Sequence, residues 1–270
     1  MATDPRTAHA LAQHAETARL LGVDFLPTRT RTARVQQQVE AKPEAVPGPT
    51  AEEPPVVDVR AHSPSDDERA VAQERLEELR ARYEADAPHE VFETSFNSIV
   101  FGDGDPCARL MFVGEAPGAE EDKTGKPFVG RAGQLLNKMI EAMGLRREDV
   151  YIANVLKTRP PDNRTPTVEE SMACAPYLFE QIGIVRPEVI VTLGAPASRL
   201  LLDSTEAMGK LRGRWAVFPP PGSLTVKADV PETAVMPTYH PAYLLRSYTP
   251  ENRQKVWSDL RQAMERLGLA

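Results

Sequence analysis

From about residue 109 onward, apolar residues fall into short unbroken runs separated by longer stretches with a helical period. Arg109-Leu-Met-Phe-Val-Gly114, Val150-Tyr-Ile-Ala-Asn-Val155 and Val189-Ile-Val-Thr-Leu-Gly194 have the composition of parallel strands buried on both faces. Ala234-Val-Met-Pro-Thr-Tyr239 predicts a weaker fourth strand, with Pro237 near its end. Between the runs, helices are expected at about Ala132–Met143, Thr167–Gly183 and Ala195–Leu202, and a closing helix at about Pro250–Leu267. Strands alternating with helices predict an α/β fold, a three-layer α/β/α sandwich around a central, mainly parallel four-stranded sheet. Ligands bind such sheets beyond the carboxyl ends of the strands. Chemistry is therefore to be sought after Val113, Ile152, Leu193 and Thr238.

The first third of the chain reads differently. Leu11, Ala15, Ala18 and Leu21 recur at helical spacing, so residues 1–26 are expected to carry a short amphipathic helix, a candidate contact for a protein partner. Residues 27–64 are polar, with Pro43, Pro47, Pro49, Pro54 and Pro55, and read as a disordered linker. Ser65 then caps a charged helix reaching about Asp86, with Val71, Leu76 and Leu79 on one side. Residues 65–98 form this helical lead-in, and 99–270 the α/β body.

Charge and cysteine content narrow the function. The net charge of −7 argues at first against a nucleic-acid partner. Residues 1–90 hold 11 Lys/Arg and 17 Asp/Glu, a balance of −6, which leaves only −1 on the remainder. A near-neutral body can bind DNA through a local basic patch, because the phosphate interaction depends on nearby charges. Only Cys107 and Cys174 are present, too few for a four-ligand metal site, and their scarcity fits a reducing compartment. No apolar stretch approaches the roughly 20 residues needed to span a bilayer, and the N-terminus has no secretory pattern. A cytoplasmic protein without membrane contact is expected, with a monomer as the default.

At the first strand end lies Gly114-Glu-Ala-Pro-Gly118, followed by Ala119-Glu-Glu-Asp122 and Gly125-Lys-Pro-Phe-Val-Gly130. Its glycines permit a tight turn with amides facing a cleft, but the spacing of neither GxGxxG nor GxxxxGK[ST] is present. The second strand runs through Asn154 into Lys157-Thr-Arg-Pro-Pro161. A strand-end Asn can read a base edge with its amide and carbonyl, or simply cap the turn. The last strand delivers Thr238-Tyr-His-Pro-Ala-Tyr-Leu-Leu-Arg246. Its apolar tip is either a wedge for a base stack or an ordinary loop packed on the core.

Together these strings resemble the uracil-DNA glycosylase superfamily, and within it family 4. The likeness runs from about Ile99 to Leu267 through GEAPG, KPFVGRAG, YIANVLK, RPPDNRTP and TYHPAYLLR. It implies excision of uracil from DNA by hydrolysis of the N-glycosidic bond. Phe128 matches the aromatic that stacks on flipped uracil, and Asn154 the residue that bonds the uracil edge and rejects cytosine. Gly114 and Gly118 bring backbone to the base, Gly118 standing where another branch has a tyrosine that excludes the thymine methyl. His240 matches the histidine that stabilises charge on uracil O2. Ala116 occupies the place of that branch's water-activating aspartate, so Glu115, then Glu121, are the candidate carboxylates. Lys157, Arg159, Pro160 and Pro161, with Tyr243, Leu244, Leu245 and Arg246, are expected to contact DNA.

The resemblance breaks at one feature. Family 4 holds a four-iron cluster on four cysteines, and here only Cys174 matches a ligand, with Thr158 in another ligand's place. One thiolate cannot hold a cubane, so no cofactor and no metal are expected. Two alternatives stand beside the enzyme: a DNA-binding member that recognises uracil or another deaminated base without turnover, and a fold relative acting on another small molecule. A branch that becomes trapped on DNA carries a further histidine, and none lies between His89 and His240.

Overall fold

The computed structural model describes residues 64–92, 94, 96–220 and 230–269. The expected N-terminal helix and nearly all of the proline-rich segment lie outside these residues. In chain order the elements are α1 (Asp66–Asp86), β1 (Asp103–Gly104), β2 (Leu110–Gly114), α2 (Ala119–Thr124), α3 (Arg131–Ala142), β3 (Tyr151–Asn154), α4 (Val168–Val185) and β4 (Val189–Leu193). There follow α5 (Ala195–Leu202), α6 (Met208–Leu211), β5 (Ala216–Phe218), β6 (Thr233–Thr238), α7 (Pro241–Arg246) and α8 (Pro250–Leu267).

The four anticipated strands are β2, β3, β4 and β6, each buried at every position and paired in parallel. The sheet nevertheless has six strands, in the order β1-β3-β2-β4-β6-β5. The two additions are antiparallel edge strands of two and three residues, too short to leave a hydrophobic period in the sequence. Short edges of this kind limit the backbone offered to another chain.

Side chains alternate across the pleat. Met111, Val113, Ile190 and Val235 join a core with α1, α4 and α5. Leu110, Phe112, Val189, Val191 and Met236 join the opposite core with α3 and α8. This is the expected three-layer sandwich, and none of its described helices is long and apolar enough to cross a membrane. The helix starts follow local chemistry. Ser65–Glu68 and Thr167–Glu170 are reciprocal capping boxes that satisfy orphan amides at α1 and α4.

The lead-in helix α1 shares the core of the α/β body. Its Leu79 and Tyr83 are almost fully buried, and Tyr83 stacks on His89 at 5.5 Å and meets Tyr177 edge-on at 5.0 Å. Tyr83→Ala is expected to lower unfolding free energy by about 3–5 kcal/mol, the range for removing a large buried aromatic, as read from urea denaturation. Val71, expected on the same side as Leu76 and Leu79, is exposed instead, and Val71→Ala should cost less than about 1 kcal/mol.

Candidate functional site

The expected site residues meet where the fold predicts, at the carboxyl ends of the parallel strands. Gly114 ends β2 and is in register with Asn154 at the end of β3. A Cβ built on Gly114 would lie 2.4 Å from Asn154 Oδ1 and 2.5 Å from Phe128 Cζ, so only glycine lets both side chains reach this point. Asn154 is buried, and its Oδ1 has no hydrogen-bond partner within the protein. A buried acceptor without a partner is costly, unless a ligand supplies the donor.

Phe128 sits in the left-handed region, with φ 51°. That conformation is held from outside the loop. Arg147 donates to the carbonyls of Pro127 at 2.6 Å and Phe128 at 3.1 Å, while Asp103 pairs with its guanidinium. Gly133 allows the helix that follows to come close, because a Cβ there would lie 1.9 Å from the Phe128 carbonyl oxygen. Nothing in the local sequence singles out Arg147, since its partners are brought together only by the fold.

His240 follows β6 and forms the N-terminus of α7. Its Nδ1 accepts a hydrogen bond from the Ala242 amide at 3.0 Å, which places the proton of the neutral ring on Nε2. The ring centroid is 5.6 Å from that of Phe128. Behind it Gly194, with φ 93°, follows β4, and a Cβ there would lie 3.1 Å from His240 Cβ. Burial pushes the imidazole down to about 4, helped by the positive charge of Arg246 and opposed by Glu121. His240 is therefore a neutral donor at physiological pH.

Of the two candidate carboxylates, Glu121 is engaged structurally. One oxygen accepts from the Val129 and Gly130 amides at 2.9 and 2.8 Å, tying the Phe128 loop to α2. The other would lie 2.9 Å from a Cβ on Gly118, a further reason for glycine there. Burial raises the Glu115 carboxyl above its ordinary value, against a hydrogen bond from Thr165 and the nearby Arg246. Asp122, from the same helix, is buried and accepts from the Asn97 and Ser98 amides. Asp259 on α8 pairs with Arg212 and accepts from the Thr238 hydroxyl at 2.7 Å, fixing the strand end two residues before His240. Both carboxylates escape sequence reading because their partners are remote.

Three expected DNA contacts are placed elsewhere by the fold. Lys157 is completely buried, its Nζ donating to the Asn154 carbonyl at 2.7 Å and Gln181 Oε1 at 2.6 Å. It cannot meet a phosphate, and burial pushes its amine down to about 7. Leu244 is buried against α3 and α8, because the TYHPAYLLR tip is a helical turn with an inner face. Pro160 is also buried. Leu245 and Arg246 are exposed, and Arg159, Pro161 and Tyr243 partly so.

The residues at the corner around Cys174 and Thr158, where the family resemblance would place an iron–sulfur cluster, do not fit one. Cys174 is fully buried with Sγ 3.9 Å from the Tyr83 hydroxyl, so the tyrosine ring and hydroxyl occupy the space beside the one thiol. The Thr158 hydroxyl lies beside the same tyrosine. Among the described residues no group of three His, Cys, Asp or Glu side chains could hold a metal.

The model of the uracil DNA glycosylase superfamily matches residues 101–261. The type-4 uracil-DNA glycosylase of Thermotoga maritima is 48% identical over 167 residues, 62% of this chain and 81% of the relative. That of Archaeoglobus fulgidus is 42% identical over 171 residues, 62% and 81% of the two chains. A type-5 uracil-DNA glycosylase of Pyrobaculum aerophilum is 36% identical over 156 residues, 52% and 64%.

The half-buried His240 predicts a pH dependence of stability. Its folded value near 4 lies below the 6.5 of an open chain, so unfolding takes up a proton between those limits. Stability present above pH 6.5 is lost as pH falls through this window, by on the order of 1–2 kcal/mol at pH 5. His240→Gln should show a smaller loss between pH 7 and 5 in urea denaturation. His89, whose value is also lowered by burial, contributes with the same sign in both proteins.

Proposed function

The chain belongs to the uracil-DNA glycosylase superfamily, and we propose that it hydrolyses the N-glycosidic bond of uracil in DNA, the first step of base excision repair. The observation that carries this reading is the convergence of Phe128, Asn154 and His240 around Gly114. A base inside a duplex is beyond reach, so its nucleotide must be flipped and the unstacking cost offset. Phe128 offers a stacking face and the Asn154 carboxamide an edge to read, with Gly114 and Gly118 leaving room beside it. Cleavage leaves negative charge on the uracil and positive character on the sugar. The neutral His240 Nε2–H donates to the uracil oxygen as that charge grows, without itself giving up a proton.

Glu115 is the carboxylate proposed to orient the water, because Glu121 is committed to the Val129 and Gly130 amides. The raised Glu115 value makes its carboxylate a better base than an open one. Leu245 and Arg246 are proposed at the DNA surface with Tyr243, Arg159 and Pro161. The enzyme works without an iron–sulfur cluster, a reading supported by two cysteines in the whole chain and by Tyr83 against Cys174. We place it in the cytoplasm as a monomer, with residues 1–63 outside the catalytic unit and open to a protein partner.

The test is incubation with a uracil-containing oligonucleotide, followed by alkaline cleavage of abasic sites. Wild type is expected to cut at uracil and not at cytosine. His240→Ala should keep its affinity for the DNA while single-turnover excision falls by about 10²-fold or more, the scale of one lost oxyanion donor. Wild-type turnover in this variant would remove His240 from the mechanism. Purified protein should contain no stoichiometric iron by elemental analysis.

A further inference from the structure

Lys157 reaches no solvent, no carboxylate among the described residues pairs with it, and its amine donates to the backbone carbonyl of Asn154. We infer that Lys157 is a positioning residue for base recognition, setting the angle at which Asn154 presents its carboxamide to the flipped base. The inference rests on the proposed function and adds a determinant that works from behind the site.

The geometry leaves the Asn154 carbonyl dependent on this contact. β1 pairs with β3 only at Tyr151 and Ile152, so the edge strand ends before Asn154. The chain beyond Asn154 continues along β2, through Val155 N–H to the Gly114 carbonyl and Leu156 N–H to that of Glu115. Lys157 then folds back and closes a short ring on Asn154. Its own carbonyl accepts from the Val100 amide at 2.7 Å, which anchors the lysine backbone. Its amine is aimed by Gln181, also fully buried. Gln181 Nε2 donates to the Phe101 carbonyl at 2.9 Å, so Oε1 is turned toward Lys157. The amine also lies 5.4 Å from the Phe101 ring centroid. Phe101 carbonyl, Gln181, Lys157 and Asn154 carbonyl form one buried polar chain ending on the base-reading residue.

Leaving a buried lysine without a carboxylate is expensive, and a well-packed apolar side chain would serve stability better. What lysine supplies is a directed donor at one carbonyl. A lost donor lets the strand end relax, and a misplacement of about 1 Å at a reacting centre can cost about 10²-fold in rate.

Lys157→Met keeps an unbranched side chain one atom shorter and removes the donor. Single-turnover excision of uracil is to be measured for wild type, Lys157→Met, Asn154→Ala and the double variant, with folding checked by thermal melting. Lys157→Met is expected to slow excision by about 10- to 100-fold, but by less than about twofold when Asn154 is already alanine. Affinity for uracil-free DNA and its salt dependence should stay at wild-type values, because a buried amine releases no counterions from DNA. An equal slowing in both Asn154 backgrounds, wild-type excision by Lys157→Met, or a reduced salt dependence would each overturn the inference. Gln181→Met keeps Lys157 but loosens its aim, and decides the matter if Lys157→Met fails to fold. It should slow excision several-fold with Asn154 present and not in the Asn154→Ala background, and equal slowing in both overturns the inference. Wild-type protein that leaves uracil in place overturns the proposed function together with this inference, whereas wild-type excision with indifferent variants overturns this inference alone.

Discussion

Crowding at one backbone position governs the cleft. Around Gly114 the Asn154 carboxamide and the Phe128 ring approach within distances that no side chain on residue 114 would tolerate. The parallel pairing of β2 and β3 brings Gly114 and Asn154 into register. The loop after α2 carries Phe128 over them, and β4 and β6 set Gly194 and His240 at the next strand ends. The cleft is therefore a property of four strands ending together. Moving any one of them by a single residue would turn its end residue to the other face of the sheet.

Loops that reach such a point need external anchors, and here the anchors are charged side chains, buried at Asp259 and half-buried at Glu121 and Arg147. Glu121 holds the Phe128 loop to α2, Arg147 holds it to the β1 edge, and Asp259 holds the end of β6 against α8. Each of these groups is costly to desolvate and is offset by several hydrogen bonds. Their benefit is orientation, because prearranged dipoles act on developing charge without having to reorganise. His240 shows the same logic. An amide donor at Nδ1, partial burial and the nearby Arg246 charge keep the ring neutral, with its proton on the opposite nitrogen.

The corner around Cys174 is organised by aromatic packing. Tyr83 brings α1 into the core, where His89, Phe101 and Tyr177 surround its ring. The lead-in helix thus contributes to the body that carries the cleft. Lys157 lies beside this packing and beside Asn154, which joins the aromatic corner to the end of β3.

Much of this was legible in the sequence because it is local. Apolar runs over 110–114, 151–154 and 189–193 mark strands buried on both faces, and capping residues such as Ser65 and Thr167 mark helix starts. The ordered motifs name Phe128, Asn154 and His240, whose residue types suit stacking, edge reading and charge stabilisation. Edge strands of two and three residues carry no period of their own, and Pro241–Arg246 is too short to announce a helix with an inward Leu244. Only the tertiary structure decided that Lys157 points inward, since a lysine after a strand reads as exposed until Gln181 of α4 and the Phe101 ring enclose it. It also decided that Glu121 is a clamp, that Arg147 and Asp259 support the site, and that Tyr83 packs against Cys174. Sequence determines which groups a chain carries and the period in which they recur; burial and long-range contact determine their charge and orientation.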